Sequence, residues 1–169
     1  MNAAELQNLY DYNYWANERL LAHATRLSGR ELGQAIGDGP ATIFSTLVHV
    51  LSAEWIWRMR VAERVSPTVL LAADAVPDLE ALHRRWRQEE EAMRAFLATL
   101  DSERLDEVVA YETTSGTRQQ NVLWQILVHL VNHGTQHRSE IAVALTMLGH
   151  SPGDLDFILF LRQVDRTRG

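Results

Sequence analysis

Residues 129 to 141 read HLVNHGTQHRSEI, with a histidine at every fourth position: His129, His133 and His137. On a helix, a four-residue step turns a side chain by only about 40° and lifts it by about 6 Å, so neighbouring histidines of this run share a face. An i, i+4 pair can hold one metal ion through two imidazoles. The outer pair, His129 and His137, stands about 80° and 12 Å apart by the same arithmetic, so all three cannot easily serve one ion. A third ligand must come from another segment, and His49, set among apolar residues in STLVHVLSAEW, is the best placed. Taken singly, His49 also reads as a hydrogen-bonded core histidine, and His133 with His137 as a solvated pair.

Working outward, the chain divides into amphipathic stretches separated by short breaks. Residues 2 to 27 place Leu6, Leu9, Tyr10, Asn13, Trp15, Leu20, Leu21 and Leu27 near a 3.6-residue period, and SGRELG ends this first helix. After GDGPAT, Pro40 suits a first helical position, and a second helix runs to about residue 63. The third spans about 78 to 100, with Leu79, Leu82, Trp86, Met93, Phe96, Leu97 and Leu100 opposite a charged face. DEVVAYETTSGTRQQNV is rich in β-formers around a central SG and predicts two short strands and a turn. A long fourth helix follows from about 120 to 148, and SPGDLDFILFLRQVD predicts a short final helix with Ser151 as cap and Pro152 in its first turn. Four long apolar stripes must find partners, which predicts an all-α fold, a four-helix bundle in a single domain over residues 1–169, with a β-hairpin between helices three and four.

Composition removes several chemistries. The 169 residues contain no cysteine, which excludes a disulfide framework and a protein thiol nucleophile. All 16 positive residues are arginine, so neither a Schiff base nor a Walker phosphate loop can be built. A net charge of −6 argues against a nucleic-acid surface. No apolar run is long enough to span a bilayer and no signal peptide is evident, so no membrane partner is expected and the expected location is cytoplasmic. One E-x-x-H, Glu80 to His83, is too little for a carboxylate-bridged di-iron bundle, and H-E-x-x-H and G-x-S-x-G are absent.

The segments YNYWANERLL, TLVHVLSAEWIWRMR, YETTSGTRQQNVLWQILVHLVNHGTQHRSEI and GHSPGDLDFILFLR together resemble the DinB family over nearly the whole chain. The specific element is a lone histidine in helix two combined with N-H-x-x-x-H-R in helix four. The resemblance implies up-down-down-up connectivity and one divalent metal ion, zinc or nickel first, iron or manganese as alternatives. Carried over residue by residue, its ligands fall on His49, His133 and His137, while His129 belongs beside the site or in the core. Relatives include transferases and isomerases that use mycothiol, bacillithiol or glutathione, so the resemblance implies a metal-dependent enzyme acting with a small-molecule thiol on an electrophilic substrate. Two alternatives stay open: a metal-dependent hydrolase with metal-bound hydroxide as nucleophile, and a non-catalytic metal or small-ligand binding stress protein. The family also suggests a homodimer.

Where the family commonly reads H-R-G-Q-I, this chain reads His137-Arg138-Ser139-Glu140-Ile141. Glu140 returns to nearly the azimuth of His133 and is the candidate catalytic residue, either orienting a ligand or accepting a proton. An interhelical salt bridge is the competing reading. Arg138 is expected to pair with Asp156, Glu54 to hold helix two to an arginine, and Tyr111 to cover the pocket mouth.

Overall fold

The computed structural model describes the backbone of residues 1–168 and the side chains through Val164. Its helices are α1 (Ala3–Ala24), α2 (Gly29–Leu32), α3 (Ile43–Val61), α4 (Leu79–Leu97), α5 (Ser102–Leu105), α6 (Leu123–Met147) and α7 (Phe157–Arg168). The strands β1 (Val108–Glu112) and β2 (Arg118–Val122) pair antiparallel, Val108 opposite Val122 and Glu112 opposite Arg118. The four long helices are those expected.

Local chemistry sets the boundaries. Asn2 and Glu5 form a capping box at α1, each side chain taking the other's backbone N–H at 2.9 Å. Thr42 and Ser45 do the same at α3, so that helix starts at Ile43 rather than at Pro40. Ser28 and Glu31 cap the one-turn α2 inside the SGRELG stretch read as a simple terminator. Gly149 closes α6 with φ +80, and His150 N–H donates to Leu145 O at 2.8 Å. The last helix begins at Phe157, not near Pro152. Gly153 turns left-handed there at φ +71, and the carbonyls of Pro152 and Leu155 accept bonds from Arg19 and Tyr12 of α1 instead of entering a helical ladder.

Cross-helix pairs give the directions. Between α1 and α6, the Tyr10 hydroxyl meets Leu127 O while Asn13, one turn on, meets Arg138, so these helices run parallel. Glu54 meets Trp86 and Arg58 meets Glu89, so α3 and α4 are also parallel. Asp11 meets Arg94 and Glu18 meets His83, which makes α1 and α4 antiparallel. His49 meets His133 while Trp57 meets His129, which makes α3 and α6 antiparallel. This is the up-down-down-up bundle.

The core lies in two apolar blocks along the bundle. One gathers Leu6, Tyr10, Met93, Leu97, Leu123 and Leu127; the other gathers Leu20, Leu47, Leu51, Leu82, Ile141 and Leu145. Between them, at the level of Asn13, Asn17, Glu54 and Arg138, the interior is polar yet sealed from water. No described helix is long and apolar enough to cross a membrane.

Candidate metal centre

The antiparallel pairing of α3 and α6 brings one histidine of the first against two of the second. His49, His133 and His137 each offer a ring nitrogen within 4.8 Å of the others, and all three are partly buried. Their ring centroids are 4.6 to 5.1 Å apart. His49 Nε2 stands 3.3 Å from His133 Nε2. Two nitrogens bound at about 2.0–2.1 Å in tetrahedral geometry are separated by about 3.3–3.4 Å, so the pair has the spacing a zinc-class ion requires. The distance is long for a direct N–H···N bond. His129 is exposed and falls outside this cluster, its ring 6.0 Å from that of His133 and 5.6 Å from that of Trp57.

The protonation states suit ligation. His133 is pushed down to about 4, first by burial and then by the neighbouring His137, His49 and His129. His49 is lowered by burial and by His137, with Glu140 opposing. Both imidazoles are therefore neutral near pH 7, lone pairs free. His137 Nδ1 lies 2.8 Å from Glu140 Oε2, so Glu140 accepts from Nδ1 and leaves Nε2 as the lone-pair nitrogen. His133 Nδ1 is buried without a hydrogen-bond partner among the described residues.

Above His49 and His133 opens a cavity of about 200 Å³, walled by Ala53, Trp57 and Arg60 of α3, His129 of α6, and Thr113 and Thr114 of the hairpin. Among the described residues, no Asp or Glu lines it. Tyr111 stands one wall away: its ring packs edge-on against Trp57 at 4.9 Å, its hydroxyl donates to Asn121, and it borders an adjoining cavity of about 290 Å³. A larger cavity, about 590 Å³ and mainly apolar, touches Glu140 but none of the three histidines.

Beneath the site lies the polar layer. Glu54 is fully buried; its Oε1 accepts from Asn13 Nδ2 at 2.9 Å and Asn17 Nδ2 at 3.0 Å, and its Oε2 accepts from Trp86 Nε1 at 3.0 Å. Arg138 Nη1 donates to Asn13 Oδ1 at 2.5 Å and Asn17 Oδ1 at 3.0 Å, and Nη2 donates to Thr135 Oγ1 at 2.8 Å. Two asparagine amides thus stand between carboxylate and guanidinium, each donating to one and accepting from the other. The expected Arg138–Asp156 pair is replaced by this arrangement, and Glu54 reaches its arginine only through the amides. Burial pushes the Glu54 carboxyl up, while the three donors and Arg138 pull it back. Gly134 makes room: a Cβ there would stand 2.7 Å from Arg138 Nη1. Because Glu54 lies five residues after His49 and Arg138 directly follows His137, the layer fixes the two histidine-bearing helices against each other.

Comparison with known proteins places this geometry in context. A family model described as DinB family matches residues 1–167. Protein DinB of Bacillus subtilis (strain 168) is 26% identical over 161 residues, covering 90% of this chain and 91% of that one. The solved structure of YfiT from Bacillus subtilis, described as a probable metal-dependent hydrolase with an unusual four-helix bundle topology, aligns with a TM-score of 0.67 at 14% identity over 86% of this chain and 89% of that chain. At that identity the likeness is one of fold.

Proposed function

The chain belongs to the DinB family, and from that premise we propose that it is a metal-dependent enzyme whose nucleophile is a low-molecular-weight thiol, of the S-transferase or isomerase type. The observation that carries the reading is that His49, His133 and His137 offer ring nitrogens within 4.8 Å of one another, and that two of them, His49 and His133, line a cavity with no carboxylate among its described lining residues. A divalent ion held by three neutral imidazoles keeps its full charge and an open position, and lowers the pKa of a coordinated thiol or water. His49 and His133 serve as neutral donors because burial disfavours their protonated forms. Glu140 fixes the tautomer and orientation of His137 by accepting its Nδ1–H. Since that carboxylate is engaged by a ligand and does not line the cavity, it is poorly placed to take a proton from substrate. A thiol acidified at the site has no need of such a base, and no cysteine of this chain could replace an added thiol.

A second reading, metal-dependent hydrolysis, draws on His129, which lines the same cavity as a possible base, and on the description given to YfiT. The deciding experiment supplies the protein loaded with zinc or nickel with electrophiles and activated esters, with and without mycothiol, bacillithiol or glutathione. Turnover that requires thiol is expected. Thiol-independent ester cleavage abolished by His129→Ala would replace the proposal with the hydrolase, and metal binding without turnover would leave a binding protein.

A further inference from the structure

We propose that Arg60 is the recognition residue for a carboxylate-class anionic group of the substrate, which it holds in the cavity shared with His49 and His133. The inference rests on the reading of that cavity as the reaction site.

Arg60 is only 5% exposed, yet among the described residues it has no hydrogen-bond acceptor for Nε or Nη2, and no carboxylate acts on it. Arg138, also buried, is bonded to two asparagines and a threonine. Arg58, two residues before Arg60, is paired with Glu89 and Glu63. The Arg60 guanidinium lies 4.8 Å from the centre of the Trp57 ring and 5.5 Å from that of Tyr111. Aromatic rings attract the cation through its flat faces but provide no in-plane acceptor, so the Nε and Nη2 donors stay unmatched. Burial also pushes its pKa down, as expected of a charge without a counter-ion. An unpaired buried cation is costly, and a structure that keeps one beside an open cavity is prepared for an anion.

The position relates this cation to the reacting end. Arg60 follows His49 by eleven residues on α3, about 20° in azimuth and about 16 Å along the axis, and helical side chains lean toward the N-terminus. Arg60 therefore reaches back along the wall formed by Trp57 and Ala53 toward the imidazoles. The cavity, at about 200 Å³, suits a short chain with a reactive end at the histidines and an anion at Arg60.

The first test uses metal-free protein, so that it does not depend on the thiol reading. Hexanoate and hexanol are titrated while the Arg60 side-chain 15N resonances, assigned by their absence in Arg60→Lys, are followed. Hexanoate should shift them saturably and hexanol should not; equal responses, or none, overturn the proposal. The second test uses cobalt-substituted protein and a series of ω-mercaptocarboxylic acids of increasing length against matched ω-mercaptoalcohols, read by the sulfur-to-cobalt charge-transfer band. An acid preference of about ten- to a hundredfold at one length, within the range of a charge-assisted hydrogen bond, assigns the anion to the thiol. That preference should vanish in Arg60→Met and be partly kept in Arg60→Lys, with alcohol binding unchanged in both. An acid response in the first test combined with equal thiol affinities assigns the anion to the electrophile. Failure of every thiol to give the band refutes the thiol mechanism while the hexanoate result still decides Arg60.

Discussion

Replacing Gly134 by alanine should destabilise this protein, the reverse of the usual result for a glycine inside a helix. Intrinsic propensity alone would favour alanine by about 1 kcal/mol. At this position the added Cβ would stand 2.7 Å from Arg138 Nη1, 3.3 Å from its Cζ and 3.2 Å from Asn13 Oδ1. Arg138 is 2% exposed, and its Nη1 is tied to Asn13 and Asn17, so the guanidinium has little freedom to yield. Overpacking costs about 1–3 kcal/mol, and loss of one charge-assisted hydrogen bond costs about 1.5–3 kcal/mol. With the propensity gain subtracted, the expected loss is about 3 kcal/mol, or a fall in Tm of about 6–12 °C for a chain of this size. Urea unfolding of metal-free protein followed by circular dichroism measures it. The same substitution in an Arg138→Leu background, where the side chain ends short of Cζ, should cost less than about 1 kcal/mol. A Gly134→Ala variant more stable than the parent, or equally penalised in both backgrounds, would refute the assigned contact.

Single alanine substitutions of His49, His133 or His137 should each strongly reduce bound metal by elemental analysis, whereas His129→Ala should retain it; the opposite pattern would move the site along α6. Glu140→Gln keeps an acceptor for His137 Nδ1 and should leave metal content near that of the parent, while Glu140→Ala should lower metal affinity or activity by about 10- to 100-fold. A large fall in turnover in Glu140→Gln with metal still bound would instead identify a base. His133, at about 4 when folded against about 6.5 unfolded, favours the unfolded chain as it protonates; its contribution to metal-free stability is full above about pH 6.5 and is lost as pH falls toward 4. Subtracting the pH–stability curve of His133→Asn from that of the parent should isolate this slope, and a flat difference would contradict it. Glu54→Gln should cost about 3 kcal/mol in chemical unfolding, because the new amide must turn its NH2 toward either Trp86 Nε1 or the two asparagine amides, and Arg138 loses its counter-charge. Unchanged stability would show that the carboxylate is protonated in the fold.

The helices were legible because their apolar stripes repeat over many turns, and the histidine cluster because i, i+4 spacing fixes relative direction on a helix. The polar layer was not. Asn13 reads simply as one member of the α1 stripe, and its role depends on Arg138, 125 residues away in the chain. Arg60 is hidden for a related reason: within WIWRMRVAER, nothing distinguishes it from Arg58, and only the fold gives one of them Glu89 and leaves the other in front of Trp57 and Tyr111. The start of α7 was misplaced because Ser151 and Pro152 look like a helix entry, whereas Arg19 and Tyr12 compete for the carbonyls that follow. The capping box at Ser28 and Glu31 went unread, because a helix of one turn leaves no apolar stripe behind it.

The layer of Glu54, the two asparagines, Trp86 and Arg138 also bears on how one arrangement of helices prevails over others. Four amphipathic rods can be stacked in several orders that hide nearly the same oily area, so apolar burial discriminates weakly among them. This layer takes members from α1, α3, α4 and α6 at once. A bundle with two helices exchanged, or one inverted, would seal a carboxylate or a guanidinium away from its complements at a cost of several kcal/mol. Trp86 adds a sense of direction: asparagine amides can be rotated to serve either charge, but an indole N–H can face only an acceptor. Exchanging Glu54 and Arg138 would therefore fail even with both amides turned, and the layer acts as an address that each helix must match before the histidines can meet.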